Sequence, residues 1–244
     1  MPANIVFSGI TNDFFEQAFD DANIISITSD EIRAVDESTG FTTTVGGTNF
    51  SLPPGSDEPT GTMTSLLIAD ANANPVISIT GISWDVTVFL AAIDDLLEND
   101  GEEGLLALLL SQDTVNLDAS GADIGAEFRF DELTRAVTIT GSSNEDTLGG
   151  GLGSDSINPG AAPQFEGDVI FGSAGNDTVN FGSIGDESYV DVTYEDVAGP
   201  VTITVNGPRK HHDRQQGRAG HGYLSVCHQS AAGRRAEYLW QRRG

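Results

Sequence analysis

The stretch GGLGSDSIN, residues 150–158, decides the fold. It sets Gly150, Gly151 and Gly153 ahead of Asp155 and an apolar Ile157, all within nine residues. The same order recurs on both sides. GSSNEDTLG (141–149) places Asp146 sixth and Leu148 eighth, and GSAGNDTVN (172–180), with Gly172 and Gly175, supplies Asp177 and Val179. Between them FEGDVIF (165–171) puts Asp168 and Ile170 in matching places behind poorer glycines. A frayed copy, FGSIGDESY (181–189), offers Asp186 but has Ser188 where an apolar residue is expected. A single aspartate reads as a turn former, since Asp is common in turns. Four or five in register, spaced nine, thirteen, nine and nine apart, do not.

This pattern, G-G-x-G-x-D-x-U-x with U apolar, resembles the nonapeptide calcium-binding repeat of the RTX (repeats-in-toxin), hemolysin-type family. The resemblance covers about residues 141–190. It implies a six-residue turn and a three-residue strand per repeat, with two repeats to each turn of a short parallel β-roll, a two-sided β-helix. Glycine lets such a turn curl tightly and bring backbone close to backbone. The eighth residue points into the core and its neighbours point out. Turns two repeats apart then stack, so Asp155 is expected beside Asp177 on one edge and Asp146 beside Asp168 on the other. Ca²⁺ takes six to eight oxygen ligands at about 2.3–2.6 Å, which suits carboxylates and carbonyls between stacked turns. The metal-site residues the resemblance implies are Asp146, Asp155, Asp168, Asp177 and Asp186, with Gly150, Gly151, Gly153, Gly172 and Gly175 shaping the bends. The thirteen-residue gap is expected to bulge as a surface loop, which costs little.

Composition agrees with a cation-binding body. The chain has 244 residues and a formal net charge of −26. Residues 1–207 contain three basic side chains, Arg33, Arg129 and Arg135, against 35 Asp and Glu, and no Lys, His or Cys. Such a surface argues against nucleic acid, which needs a basic footprint, and against anionic membrane surfaces. The longest apolar run, GLLALLLS (104–111), is too short to span a bilayer. The N-terminus MPANIVFSGITNDFF lacks the basic start and apolar run of a standard export signal.

Three stretches follow. Residues 1–135 read as a β-rich module with a few short helices. Strand-like runs are NIVFSGI (4–10), NIISIT (23–28), TSLLIA (64–69), PVISITGISW (75–84) and EFRF (127–130). STG (38–40), GG (46–47), PPGSDEPTG (53–61) and ANANP (71–75) read as breaks. Helices are expected at 12–20 and within 87–111, where Phe89, Ile93, Leu96 and Leu97 fall at helical spacing. Asp94, Asp95, Glu102 and Glu103 read as surface charge. Residues 136–207 hold the repeats and trailing strands, so the fold class is mainly β.

Residues 208–244 differ in kind: eight basic and two acidic side chains, His211, His212, His221, His228 and Cys227. The tail reads as a basic arm for an acidic partner, a zinc cluster, or a shifted reading frame. The frame shift is favoured, because no productive Cys or His ligand spacing is present and the composition break is abrupt. The tail lacks apolar periodicity and is expected to be disordered.

The expectation is therefore a calcium-binding RTX-type protein of bacterial kind, with no catalytic activity in this chain. The resemblance implies secretion through a type I apparatus and an extracellular or cell-surface location. A surface scaffold or adhesin binding a glycan or protein, or the front end of a larger secreted enzyme, is the alternative. No H-E-x-x-H, G-x-S-x-G or Walker sequence occurs, and the missing His, Cys and Lys remove most nucleophile–base schemes from residues 1–207. A carboxylate-only glycosidase remains formally open.

Overall fold

The computed structural model describes residues 1–56, 58–99, 101, 103–163, 166–172, 174–180 and 188–194, with the strand backbones at 204–206, 210–211 and 222–227. The protein is mainly β and forms two compact units, Met1–Leu117 and Asp118–Gly244. The division falls earlier than the 135/136 boundary expected from sequence. The segment before EFRF has glycines at Gly121 and Gly125 but Ala126 where the repeats carry their aspartate, so its sequence does not match the repeat.

The first unit is a twisted sheet with helices. Its strands are β1 (Ala3–Phe7), β2 (Ala22–Ile27), β3 (Glu31–Asp36), β4 (Thr42–Ser51), β5 (Thr60–Ala69), β6 (Pro75–Asp85) and β7 (Val115–Asp118). The spatial order is β7-β1-β6-β5-β4-β3-β2. β2 to β6 are successive antiparallel neighbours, and β1 inserts against β6 with Ile5 opposite Ile79. Alternation sets the faces: in β1, Ala3, Ile5 and Phe7 are buried while Asn4 and Val6 are exposed. Three helices, α1 (Phe14–Phe19), α2 (Val86–Asn99) and α3 (Glu103–Leu110), match the expected stretches, with α2 starting one residue earlier than expected. Helix α2 buries Val86, Phe89, Ala92 and Ile93, a helical stripe. Phe89 stacks on Trp84 at 6.3 Å between ring centroids, and Phe19 meets Phe89 edge-on at 6.1 Å.

The Gly46–Gly47 pair, read as a break from sequence, lies inside β4. The register with β5 shifts there, and a side chain on Gly47 would collide with the Thr62 carbonyl. The glycines mark a bulge in a continuing strand, not an end.

The second unit is a parallel β-solenoid. Its strands are β8 (Glu127–Arg129), β9 (Val137–Thr140), β10 (Thr147–Gly149), β11 (Ser156–Asn158), β12 (Gly167–Gly172), β13 (Thr178–Asn180), β14 (Tyr189–Tyr194) and β15 (Thr204–Asn206). They alternate between two sheets, β8-β10-β12-β14 and β9-β11-β13-β15, all in parallel register. Inside run two apolar ladders. Leu148, Ile170 and Val192 align in one sheet; Ile139, Ile157 and Val179 align in the other; all are buried. Full burial of each such side chain contributes about 1.5–3 kcal/mol, which is how three-residue strands hold together.

The fourth coil departs from the nonapeptide register. Val190 pairs with Asp168 and Val192 with Ile170, so the apolar place belongs to Val192, not to Ser188. Ser188 is nonetheless fully buried, just before β14. In the tail, β16 (Lys210–His211) and β17 (Gly222–Cys227) are strands, and β17 runs antiparallel along β14 from Tyr189↔Cys227 to Tyr194↔Gly222. This part of the tail is extended where disorder was expected. The cause is pairing with the edge of β14, which its own composition does not announce.

Candidate metal centre

The bends joining the two sheets form two edges. Residues 141–146 and 159–163 lie along one; residues 130–136, 150–155 and 174–177 lie along the other. Stacking brings together the pairs expected from the spacing. The Asp146 amide donates to Asp168 Oδ1 at 3.1 Å, and the Asp155 amide donates to Asp177 Oδ1 at 3.1 Å. The same contact repeats one turn earlier, where the aspartate column ends. The Ala126 amide donates to Asp146 Oδ1 at 2.7 Å and the Val137 amide to Asp155 Oδ1 at 2.8 Å. Each carboxylate thus reaches back to the equivalent residue of the preceding turn. It satisfies an amide that the ladder leaves open at the corner. Val190 occupies the next place after Asp168, so that column holds two carboxylates.

These aspartates are inside the coil, not on it. Asp146, Asp155, Asp168 and Asp177 are 1%, 3%, 0% and 3% exposed. Their burial follows from the stacking of successive turns. Burial pushes the Asp168 carboxyl up to about 7; the Asp146 amide opposes this, while the charges of Asp146 and Glu145 add to it. Burial likewise raises Asp155 to about 6, against the Val137 amide and with the charge of Asp177. Asp146 is also raised by burial, in spite of hydrogen bonds from Ala126 and Ser142. Among the described residues, no basic side chain forms an ion pair with Asp146, Asp155 or Asp168.

The outer oxygens differ. Asp168 Oδ2 is buried with no hydrogen-bond partner. Asp155 Oδ2 is buried without a well-aligned hydrogen bond, although the Gly151 amide acts on this carboxyl to lower it. A buried ionised carboxylate is costly unless it is paired or coordinates a metal. Asp146 is the exception, since both of its oxygens are engaged: the Ser142 hydroxyl donates to Oδ1 and the Ser142 amide to Oδ2, each at 2.7 Å.

The glycines make the stacking possible. A side chain on Gly153 would stand 2.5 Å from the Arg135 carbonyl oxygen, and one on Gly175 would collide with the Gly153 carbonyl oxygen. Gly175 also has φ +128°, a conformation side chains rarely adopt. Carbonyl oxygens of successive turns are therefore layered along the edge that carries Asp155 and Asp177. Gly151 closes on the Leu133 carbonyl and Gly150 on the Asp155 carboxylate. Gly172 ends β12, paired with Tyr194. Asp186 lies outside the described residues.

Among the described residues, no group of three His, Cys, Asp or Glu side chains converges on one point. An ion held here would take one or two carboxylates and complete its shell with backbone carbonyls and water, the donors that hard cations accept. No helix among the described residues is long and apolar enough to cross a membrane. No family model, curated protein or solved structure matches the chain.

Proposed function

We propose that the solenoid is a calcium-binding module that becomes stable when the ion is present outside the cell. One observation carries this reading: stacked carboxylates are buried with no ion-paired basic side chain at Asp146, Asp155 or Asp168 among the described residues, and Asp168 keeps one oxygen without a hydrogen-bond partner. Asp155 with Asp177 would hold an ion on one edge, helped by carbonyls of the bends such as those of Arg135 and Gly153, and Asp168 would hold one on the other. The group supplies positive charge and a demand for oxygen ligands, which suits this donor set.

The chain's own residues do the rest. In the absence of the ion, buried acids oppose one another along each edge and the body repels itself. The glycines keep the turns thin enough for carbonyls to approach the carboxylates. Ligation of deprotonated carboxylates then adds binding free energy to folding free energy. Extracellular modules bind Ca²⁺ at about 10⁻⁴–10⁻³ M, so cytosolic calcium leaves the roll loose and threadable for a type I secretion route. A secreted or cell-surface protein without catalysis in this chain fits that scheme.

The test is calorimetry of the full chain with Ca²⁺, Mg²⁺ as control, and circular dichroism in parallel. Uptake of Ca²⁺ with a gain of β signal, reversed by chelator, supports the reading. Absence of heat together with an unchanged, already folded spectrum overturns it.

A further inference from the structure

Two successive bends treat their acids differently, and the difference traces to one residue. In the second copy, position two is Gly151; in the first it is Ser142. Ser142 is 3% exposed, and it gives Asp146 two hydrogen bonds of 2.7 Å, one from its hydroxyl and one from its amide. With the Ala126 amide at 2.7 Å, Asp146 accepts three short bonds. Charge-assisted bonds of this length are the strong ones. The Ser142 hydroxyl also accepts from the Asn144 amide at 3.0 Å, which fixes its direction. Asp155, whose bend has Gly151 instead, receives one good bond through Oδ1, and its Oδ2 stays without one.

We propose that Ser142 is a built-in substitute for the ion, sealing the first aspartate-bearing bend so that Asp146 needs no metal. The inference rests on the calcium reading for the other bends but concerns this bend alone. The Asp146 bend is the permanently closed start of the roll, and ion dependence begins at Asp155 and Asp168. The serine hydroxyl offers a proton where a cation would offer charge. Its side chain is short enough to turn back on its own repeat, which glycine has no atom to do.

Three variants of the full chain test this: Asp146→Asn, Asp155→Asn and Ser142→Gly. The readouts are calorimetric Ca²⁺ stoichiometry and the thermal midpoint with and without chelator. Asp146→Asn is expected to keep the wild-type stoichiometry and to lower the midpoint equally in both conditions. Asp155→Asn is expected to reduce uptake by one ion and to raise the chelator midpoint, because it removes a buried charge that lacks a full set of partners. Ser142→Gly is expected to lower the chelator midpoint and to add one ion or a new calcium-dependent recovery. Loss of an ion in Asp146→Asn, or a Ser142→Gly protein with unchanged midpoints and stoichiometry, overturns the proposal. If the wild-type chain takes up no Ca²⁺, the calcium reading falls. The opposite signs expected for Asp146→Asn and Asp155→Asn in chelator then still decide whether Ser142 satisfies its acid, and equal signs would reject it.

Discussion

Replacing Asp168 by asparagine should stabilise the metal-free protein near neutral pH and weaken its response to calcium. Asp168 is fully buried, its Oδ1 takes the Asp146 amide, and its Oδ2 has no hydrogen-bond partner. Its carboxyl is raised from 3.8 to about 7, which corresponds to about 4 kcal/mol held against the ionised form. Because the folded value lies above the unfolded one, the folded state binds more protons between them. This group's contribution is therefore fully present below about pH 4 and is lost as pH rises towards about 7. Asparagine keeps an oxygen for the Asp146 amide and removes the charge, but it buries an amide N–H₂ that costs about 1–3 kcal/mol if unpaired. The balance is a gain of about 1–3 kcal/mol above neutrality. The assay is urea unfolding in chelator across the acid-to-neutral range, repeated with saturating calcium. Wild type should lose stability as pH rises in chelator, and the variant should show a flatter profile. A variant with the wild-type slope, or one less stable than wild type above neutrality in chelator, would refute the argument that this carboxylate is strained by burial.

Two further changes probe the scaffold. Gly175→Ala forces a side chain into φ +128° and against the Gly153 carbonyl; thermal unfolding should fall by an amount equivalent to roughly 2 kcal/mol or more, with calcium unable to restore the wild-type midpoint. In the first unit, Asp36 is buried yet lowered to about 2: burial opposes ionisation, but hydrogen bonds from Ser38, Thr39 and the Asp21 amide outweigh it. Its stabilisation is present above about pH 4 and is lost as pH falls through about 2, so Asp36→Ala should cost about 2–3 kcal/mol at neutral pH and little in strong acid, read by tryptophan fluorescence during denaturation.

The repeat made the solenoid legible because it is a local code. Glycine at the crowded corners, an acid at the sixth place and an aliphatic at the eighth each answer a need within a few residues. The long hydrophobic strands β5 and β6 were readable for a similar reason, as was the α2 stripe around Phe89 and Ile93. β3 and β4 were not marked as strands. β3 carries exposed Glu31 and Arg33, and β4 contains Gly46–Gly47, so both lack a clean apolar alternation and depend on hairpin neighbours for their pairing. β17 was missed for the same kind of reason, since its extended form comes from lying against β14.

By itself the sequence determined the period, and the period determined which aspartates stack: Asp146 with Asp168, and Asp155 with Asp177. Tertiary structure alone decided their state. Burial of the four acids comes from closing the coil, and Ser142 satisfies Asp146 only because the bend turns its hydroxyl and amide inward. The end of a column at Val190 follows from a register that no spacing rule predicts. Spacing sets which residues are neighbours, since that is chain geometry. Solvation and hydrogen bonding set what those neighbours cost, and both arise only when the turns have stacked.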